Sequence, residues 1–527
     1  MTAPAVEPID AMHRREFVRL SAGSLATLAA GCRSPRDRAL ARGNTVIVAV
    51  PGTETQVLSP TPTWTQPFWL VFLPLMAPND RGEMRGRLAE RWEHSPDYVE
   101  WTYYLRPGVR WHDGHPVTAH DVKFSLELMN GSDVLELTGI ESVTVLNDLT
   151  VRVRKPHYGG SGSTYQWGEI QYPKHLLEHL DTTQFWEWEF WKHPVGNGPY
   201  RFVRYESQTM MEFEANPDFY RGKPPIERVV AKFAGAVGFT DLQAGNLDAL
   251  AAVNTAWVPN LMVDARFHLY HAYSTGHAAL YWQHQDPLFA NAQVRRALTL
   301  SINRPELLAL LYLPEDAPLT DGPLSERQLR RGELDTPLPY DPVQARQLLE
   351  EAGWSDRTGE GIREREGLAF RFTALVPSRL QKIAVYVQAQ LRRVGVDMVV
   401  QMQQDSNKRI RSGEFQAAFD GINPGGLFKA MGSLHTNVAH PVNGLGYHNA
   451  RVVELANRVL LSADPDVEDQ AFTELRDIFR DDVPVTYLVP YVAFSVAHRR
   501  LRGLSSPWRI DPLAFMDDLW LDNRSRP

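Results

Sequence analysis

The chain has 527 residues, which is too long for a single hydrophobic core because cores stop growing at about 250 to 300 residues, so we expect two or more lobes. Hydrophobic residues make up 43% and charged residues 22%, a composition that excludes a mainly disordered chain. The formal net charge of -8 supplies no broad basic surface, and nucleic acid is therefore not an expected partner.

The N-terminal segment has the pattern of a secretory signal. Arg14 and Arg15 precede an uncharged run of small and apolar residues from 20 to 30, and Cys32, the only cysteine of the chain, follows that run. The run is too short to span a bilayer, for which about 20 residues are needed. Its order of charge, apolar stretch and small residues is typical of export. The alternative is a buried N-terminal helix with one core cysteine.

Two parts of this segment resemble known processing signals. Residues 13–19, HRREFVR, resemble the twin-arginine export signal, although His13 stands where that signal usually has Ser or Thr. Residues 29–32, AAGC, resemble a bacterial lipoprotein cleavage site, with Ala29 where Leu is commoner. The resemblance implies that the cysteine becomes the lipidated first residue and that residues 33–44 form a polar tether.

The first elements after the tether are strands. Residues 45–50, TVIVAV, are rich in β-branched side chains and end at a Pro-Gly pair, which predicts a short buried strand. Residues 98–114 alternate apolar and polar positions on both sides of an Arg-Pro-Gly turn. This pattern predicts a hairpin whose second strand carries Val109 and Trp111.

Residues 111–122, WHDGHPVTAHDV, contain three histidines and two aspartates. Thr118 and Asp121 have the spacing of a capping box, which predicts the start of a helix, and the Asp-Gly pair is typical of a turn. His112 lies at the predicted end of a strand, His115 lies in the predicted turn, and His120 lies at the predicted start of the helix. Because this is not the spacing of a zinc site, we expect no metal on these three residues.

Helix and strand patterns alternate in the rest of the chain. Residues 239–250 predict a short helix capped by Gly245. Helices are also predicted over residues 291–302 and 341–354, a second helix follows Pro305, and residues 380–401 form a helix, a glycine cap and a strand. The last of these is an αβ unit, as found in α/β lobes.

Taken in order, several segments resemble family 5 of the bacterial solute-binding proteins, the dipeptide- and oligopeptide-binding components of ABC transporters. The matching segments are LAERWEHSPDYVEWTYYLRPGVRWHDGHPVTAHDVKFSLE (88–127), GNGPYRFVRY (196–205), NPDFYRGKPPIERV (216–229), LQAGNLDAL (242–250), PLFANAQVRRALTLSINR (287–304), YDPVQARQLLEEAGW (340–354) and IAVYVQAQLRRVGV (383–396). The resemblance covers most of the chain from about residue 45 onward, and no single motif carries it.

The resemblance implies an α/β fold, namely a two-lobed periplasmic-binding-protein clamp with an extra domain inserted in the first lobe. The implied divisions are a twin-arginine lipoprotein signal at 1–32, a tether at 33–44, a first lobe at 45–72 with 195–277 and 494–527, an inserted domain at 73–194, and a second lobe at 278–493. Hinge strands are expected near residues 277 and 493.

The implied function is that of a substrate-binding lipoprotein of an ABC importer. Such a protein captures a peptide or a related polar solute between its lobes and delivers it to membrane permease subunits. We expect it in the periplasm or at the outer cell surface, anchored to the membrane through lipidated Cys32. We also expect a monomer without enzymatic activity, cofactor or metal.

An enclosed cleft needs aromatic walls and a few placed polar groups, because a buried polar ligand atom without a partner costs about 1 to 3 kcal/mol. By alignment of segment order, the candidate ligand-binding residues are Trp257, Trp282, Gln283, Asp420, Asn423 and Trp508. For each tryptophan the competing interpretation is ordinary core packing.

Peptide binders of this family commonly neutralise the peptide's α-amino group with an Asp that follows an xGW strand. The corresponding stretch here has Ile422 in place of the aromatic residue and no acid between Gly421 and Gly432. Asp420 could neutralise the α-amino group if the alignment with the family pattern shifts by a few residues. The departure leaves open an oligosaccharide or another non-peptide ligand, for which aromatic and amide side chains are also suited.

Two alternatives to an importer component stay open. A secreted hydrolase is the alternative from another class, but the sequence contains no G-x-S-x-G, H-E-x-x-H or P-loop motif. A sensor partner would present its ligand to a membrane receptor instead of a permease, and the sequence does not separate these two roles.

Overall fold

The computed structural model describes residues 43–50, 67–79, 83–130, 140–155, 171–207, 209–233, 238–334, 336–359, 361–404, 406–424, 444–462, 464–505 and 511–522. The predicted signal residues Arg14, Arg15 and Cys32, most of the predicted tether, and Trp508 lie outside these ranges. Among the described residues, no helix is both long and apolar enough to cross a bilayer.

The strands are, in chain order, β1 (Thr45–Val50), β2 (Met76–Pro78), β3 (Met84–Gly86), β4 (Ala89–His94), β5 (Glu100–Leu105), β6 (Ser142–Asn147), β7 (Thr150–Arg154), β8 (Tyr200–Glu206), β9 (Met210–Ala215), β10 (Arg228–Phe233), β11 (Ala249–Leu250), β12 (Phe267–Trp282), β13 (Glu364–Arg365), β14 (Leu368–Ala369), β15 (Arg371–Val376), β16 (Asp397–Met402), β17 (Ala417–Ile422), β18 (Val485–His498), β19 (Leu501–Arg502) and β20 (Trp520–Leu521). The α-helices are α1 (Phe68–Val71), α2 (Ala119–Asn130), α3 (Lys174–Leu177), α4 (Gly238–Gln243), α5 (Val258–Val263), α6 (Ala292–Leu300), α7 (Arg304–Leu310), α8 (Glu326–Arg331), α9 (Pro342–Glu351), α10 (Gln381–Arg392), α11 (Ser406–Arg411), α12 (Ala450–Leu461) and α13 (Pro465–Asp482).

A mixed sheet runs through the molecule in the order β16-β15-β17-β12-β18-β11-β1-β10-β9-β8. Its two long central strands, β12 and β18, pair with each other in an antiparallel ladder. The ladder shifts register between Tyr273, which faces Val492, and His277, which faces Pro490. The interruption separates two halves of the sheet: one half contains β15, β16 and β17, and the other contains β1, β10 and β11. We call it the crossing, because β12 and β18 pass there from one half to the other.

Each half of the sheet contains a parallel unit covered by helices. In the first half β1 is parallel to β10 and β11, and in the second half β15 is parallel to β16 and β17. Parallel strands are buried on both faces, which explains the apolar runs of β1 and β15. In the second half, α6, α7, α9 and α10 contribute to the core on one face, and α12 and α13 contribute to the core on the other.

Local signals set the helix ends as predicted. Helix α9 begins after Asp341, whose carboxylate accepts hydrogen bonds from the backbone N–H of Val343 and Gln344, and Pro342 occupies the first helical position. Gly353 follows the helix with a φ of 86°, a left-handed conformation that glycine adopts at little cost. The predicted strand at 45–50 is also confirmed at its predicted bounds.

A separate antiparallel sheet of order β4-β5-β7-β6 lies within residues 89–154. Here the predicted hairpin is wrong. β5 pairs with β4 and β7, whereas residue 110 of the predicted second strand forms only an isolated bridge with Pro116. The alternation of Trp101 and Tyr103 correctly indicated a strand with one buried face, but alternation does not specify which strand is its neighbour.

The stretch 111–122 forms a turn and a helix start, as predicted. The carboxylate of Asp121 accepts hydrogen bonds from the backbone N–H of Thr118 at 2.8 Å and of Lys174 at 3.0 Å, so it links the starts of α2 and α3. The His112 side chain lies between the backbones of Gly196 and Gly198. Burial lowers the pKa of His112 to about 4, so this imidazole is neutral at physiological pH and has a structural role.

The glycines of the GNG segment have a packing role. A Cβ on Gly196 would lie 1.9 Å from the backbone oxygen of Val71, and a Cβ on Gly198 would lie 2.6 Å from the backbone of the same residue. Side chains are therefore excluded where α1 approaches the start of β8.

A buried ion pair joins distant parts of the first half. Arg500 donates through Nε to Asp248 Oδ1 at 2.9 Å and through Nη2 to the backbone oxygen of Thr45 at 2.9 Å. Asp248 Oδ2 accepts from the backbone N–H of Ile47 at 2.9 Å. The side chains of Arg500 and Asp248 are 3% and 0% exposed. This pair ties the segment after β18 to β1 and to the residue before β11.

Candidate ligand-binding crevice

The carboxyl ends of the parallel strands in both halves point toward the crossing. β17 ends with Ile422 facing His277, and β11 ends with Leu250 facing Val496, after which Val253 donates to the backbone oxygen of Phe494. Ligands in open α/β sheets bind outside the carboxyl ends of the strands. The space at the crossing, bounded by both sets of strand ends, is therefore the candidate ligand-binding crevice.

Tyr491 lies in this crevice across two glycines. A Cβ on Gly276 of β12 would be 3.1 Å from Tyr491 Cδ2, and a Cβ on Gly421 of β17 would be 2.5 Å from Tyr491 Oη. Because Gly276 and Gly421 have no side chains, the Tyr491 ring of β18 can extend over β12 to the end of β17. The residue stays 39% exposed, so the ring can serve as an aromatic wall.

Charged side chains stand beside that ring. Arg379 follows the carboxyl end of β15, and its guanidinium is paired with the Asp420 carboxylate of β17. The Arg379 side chain is 55% exposed, whereas the Asp420 side chain is 6% exposed. Asp420 Oδ1 also accepts from the backbone N–H of Gly421 at 2.8 Å. We call Arg379, Asp420 and Tyr491 the crevice cluster, and its accessible charge is the positive one.

Two predicted candidates lie next to strand ends that face the crevice. Trp257 ends a short 3-10 helix after β11 and stacks on Phe239, with ring centroids 4.9 Å apart and an interplanar angle of 14°. Asn423 is exposed and directly follows β17. Asp420 lies at the end of the same strand, so the sequence-based candidates of this stretch are close to the crossing.

Two other candidates lie in the second-half core. Trp282 is 0% exposed, and its indole Nε1 donates to Thr486 Oγ1 at 3.0 Å. Gln283 is 8% exposed, and its Nε2 donates to the backbone oxygens of Gly413 and Gly444. In this structure both side chains stabilise the core and a loop, and they present no polar atom to a crevice ligand. Trp508 lies outside the described residues.

A second contact between the two halves lies near the crossing. Tyr273 Oη donates to Asp316 Oδ1 at 2.6 Å, and Leu313 packs against the cores of both halves. Burial, followed by the hydrogen bond to Asp316, raises the pKa of Tyr273, so the hydroxyl stays protonated and remains a donor. Residues 313–316 thus connect the two halves independently of the crevice cluster.

Arg379 was not among the candidates predicted from the sequence. It follows a buried strand of the parallel unit, and the rule that ligands bind at carboxyl ends would have indicated this position. A side-chain group that could hold a metal lies elsewhere: the ligand atoms of Asp113, His115 and His175 are all within 4.8 Å of one another. His112 and His120, considered with His115 from the sequence, do not belong to this group.

A ten-stranded sheet with one parallel, helix-covered unit on each side of the crossing has the architecture of a two-lobed binding protein. The chain belongs to the bacterial extracellular solute-binding proteins, family 5, because the model described as "Bacterial extracellular solute-binding proteins, family 5 Middle" matches residues 83–441. The fold class expected from the sequence is confirmed by structural matches to two-lobed binding proteins of this type. The family and these neighbours are solute-binding proteins and not enzymes.

Individual relatives are moderately similar. The oligopeptide-binding protein AppA of Bacillus subtilis is 26% identical over 425 residues, which cover 73% of this chain and 74% of AppA. A Brucella ovis protein assigned as an ABC transporter peptide-binding protein is 28% identical over 342 residues, so the match spans only 63% of that relative's length and 63% of this chain.

Two solved structures show the same fold. The structure of Bacillus subtilis AppA in complex with a nonapeptide matches with a TM-score of 0.65 at 22% identity and covers 91% of this chain and 99% of AppA. The structure of HbpA2 from Haemophilus parasuis matches with a TM-score of 0.73 at 21% identity and covers 91% of this chain and 100% of HbpA2.

Proposed function

We propose that this protein is the substrate-binding component of an ABC importer, which captures a peptide or a related polar solute in the crevice and delivers it to membrane permease subunits. The observation that carries the proposal is the crevice cluster, where an exposed guanidinium and an aromatic ring lie at strand ends of the kind that bind ligands in α/β sheets. Relatives described as oligopeptide-binding and peptide-binding proteins support it.

The cluster also indicates which end of a ligand it holds. Arg379 already compensates the charge of Asp420, so an incoming ammonium meets a carboxylate that has a partner. The exposed guanidinium instead suits a carboxylate or another hydrogen-bond acceptor. We therefore propose an acceptor-bearing ligand, and an oligosaccharide with hydroxyl groups is the second candidate because Tyr491 offers a stacking surface.

The lobe boundaries predicted from the sequence are part of the proposal. The first lobe comprises 45–72, 195–277 and 494–527, the inserted domain 73–194, and the second lobe 278–493. The register shift between Tyr273 and His277 supports a hinge near residue 277. Trp257 and Asn423 are proposed as flanking contacts, one from each lobe.

A ligand screen by thermal unfolding tests the proposed function. A ligand present at about 100 times its dissociation constant stabilises the folded state by about 2.7 kcal/mol, so a cognate ligand should raise the melting temperature measurably. We expect such a shift from a panel of short peptides, and the Arg379→Met variant should lose it. If short oligosaccharides stabilise the protein and peptides do not, the oligosaccharide alternative is correct. If neither panel shifts the wild type, the proposed ligand classes are wrong.

We further propose export by the twin-arginine route and lipidation at Cys32. The double variant Arg14→Lys with Arg15→Lys is expected to leave the full-length precursor in the cytoplasm. Cys32→Ala is expected to give an exported chain without lipid. Membrane fractionation and the mass of the N-terminal peptide measure both outcomes. Arg19→Lys is the matched control, and normal maturation of the double variant would exclude the twin-arginine route.

A further inference from the structure

Asp113, His115 and His175 form a three-residue cluster outside the crevice. His175 Nε2 lies 2.8 Å from Asp113 Oδ2, and His115 Nδ1 lies 3.2 Å from Asp113 Oδ1. The two imidazole rings are stacked, with centroids 4.3 Å apart and an interplanar angle of 28°. The cluster therefore joins Asp113 and His115 to His175, which lies 62 residues after Asp113 in the chain.

The backbone holds both sides of this cluster in place. The turn is closed by hydrogen bonds from Trp111 N to the His115 backbone oxygen and from Gly114 N to the Trp111 backbone oxygen, each 2.8 Å long. His115 N donates to Asp113 Oδ1 at 3.1 Å. His175 lies on α3, whose first residue is bonded to Asp121 at the start of α2. The ligand groups are thus positioned before any ion binds.

The chemistry of the cluster favours a cation between the side chains. The Asp113 carboxylate supplies a negative charge, and one nitrogen of each imidazole lies within 4.8 Å of a carboxylate oxygen and of the other imidazole nitrogen. A neutral imidazole has a free lone pair on one ring nitrogen. In a tetrahedral site with bonds of about 2.0 to 2.1 Å, neighbouring ligand atoms are roughly 3.3 Å apart. The two His–Asp separations, 2.8 and 3.2 Å, are close to that spacing.

We propose that Asp113, His115 and His175 bind a divalent late first-row cation such as Zn²⁺ or Ni²⁺. Imidazole ligands favour these ions over Mg²⁺ and Ca²⁺, which prefer oxygen. Because the three side chains are 26%, 61% and 26% exposed, the remaining coordination positions face solvent and stay open to water or an external ligand. The ion cross-links the 111–115 turn to α3.

This proposal departs from the sequence-based expectation that the three histidines of the stretch 111–122 bind no metal, because His115 becomes a ligand. The ring nitrogens of His112 are hydrogen-bonded to the backbone of Gly196 and Gly198. His120 Nε2 lies 3.9 Å from Asp148 Oδ1. Those two histidines stay outside the site. His175 completes it, and only the folded chain brings His175 to the turn.

The test is calorimetric titration of the untagged full-length protein with Ni²⁺, Zn²⁺ and Mg²⁺. We expect one equivalent of Ni²⁺ or Zn²⁺ to bind and no saturable binding of Mg²⁺. His115→Asn should weaken the transition-metal affinity at least tenfold, and this exposed substitution leaves the His175–Asp113 contact intact. The matched control is His120→Asn, which removes a nearby exposed histidine and should leave the affinity unchanged.

A spectroscopic measurement distinguishes the site from other histidines of the chain. Electron paramagnetic resonance of the bound Cu²⁺ form should show coupling to two imidazole nitrogens in the wild type and in His120→Asn, and to one in His115→Asn. Equal affinities and equal nitrogen coupling in all three proteins would overturn the proposal, as would the absence of stoichiometric Ni²⁺ and Zn²⁺ binding. Neither result bears on the crevice, because the cluster shares no residue with it.

Discussion

Replacement of Arg500 by Met is expected to lower the free energy of unfolding by about 3 to 5 kcal/mol, the usual cost of removing one partner of a buried ion pair. The substitution removes the guanidinium that faces Asp248, whose side chain is 0% exposed. It also removes the donor to the backbone oxygen of Thr45. Urea unfolding followed by tryptophan fluorescence measures the loss.

Two further variants test the physical reason. Arg502→Met removes an arginine of the same segment whose pair with Asp522 is 3.5 Å long and about one third exposed, and should cost at most about 1 kcal/mol. Adding Asp248→Asn to Arg500→Met should restore part of the lost stability, because no buried charge then remains. Similar losses in the two arginine variants would contradict this assignment.

The second prediction with a large effect concerns the ligand. A peptide with an amidated C-terminus is expected to bind at least tenfold more weakly than the same peptide with a free carboxylate, a difference of about 1.4 kcal/mol. The reason is that Arg379 is the accessible charge of the crevice cluster, and a charge-assisted hydrogen bond contributes about 1.5 to 3 kcal/mol. In Arg379→Met the two peptides should bind equally. Isothermal titration calorimetry measures all four affinities.

Acetylation of the peptide amine provides the opposite test. Because Asp420 is already paired with Arg379, we expect acetylation to change the affinity by less than about threefold, or roughly 0.6 kcal/mol. A tenfold loss on acetylation would show that a carboxylate pairs with the ammonium, with Asp420 the first residue to examine. Arg371→Met is the matched control. Arg371 is the first residue of β15, at the end of the strand opposite the crevice, and it pairs with Asp397.

Much of the fold could be predicted from the sequence because its signals are local. The bounds of β1 follow from β-branched residues and a following Pro-Gly, and the bounds of α9 follow from its capping Asp341 and terminal Gly353. Strand partners could not be predicted in this way. β5 pairs with β7, about 45 residues later, because burial of its apolar face selects the partner and the adjacent turn does not.

The candidate site was predicted only in part for the same reason. Asp420 and Asn423 were predicted from the family pattern around the xGW strand, and they lie at and directly after the end of β17. Trp282 was predicted in the same way but is 0% exposed in the second-half core. Helices cover both faces of β12 from residue 278 onward, with Ala278, Leu280 and Trp282 in one core and Ala279 and Tyr281 in the other. A side chain late in this strand is therefore buried on whichever face it lies. Arg379 acquires its role only when β15 and β17 are placed side by side.

The crossing itself has a mechanical consequence. β12 and β18 continue through it as paired strands, so the two halves are joined by a two-stranded ribbon and not by a free linker. Such a ribbon resists twisting and sideways displacement while its interrupted rungs let it flex in one direction. We therefore expect any relative movement of the halves to follow a narrow arc, so that each closure would return Arg379 and the strand ends of the first half to the same alignment.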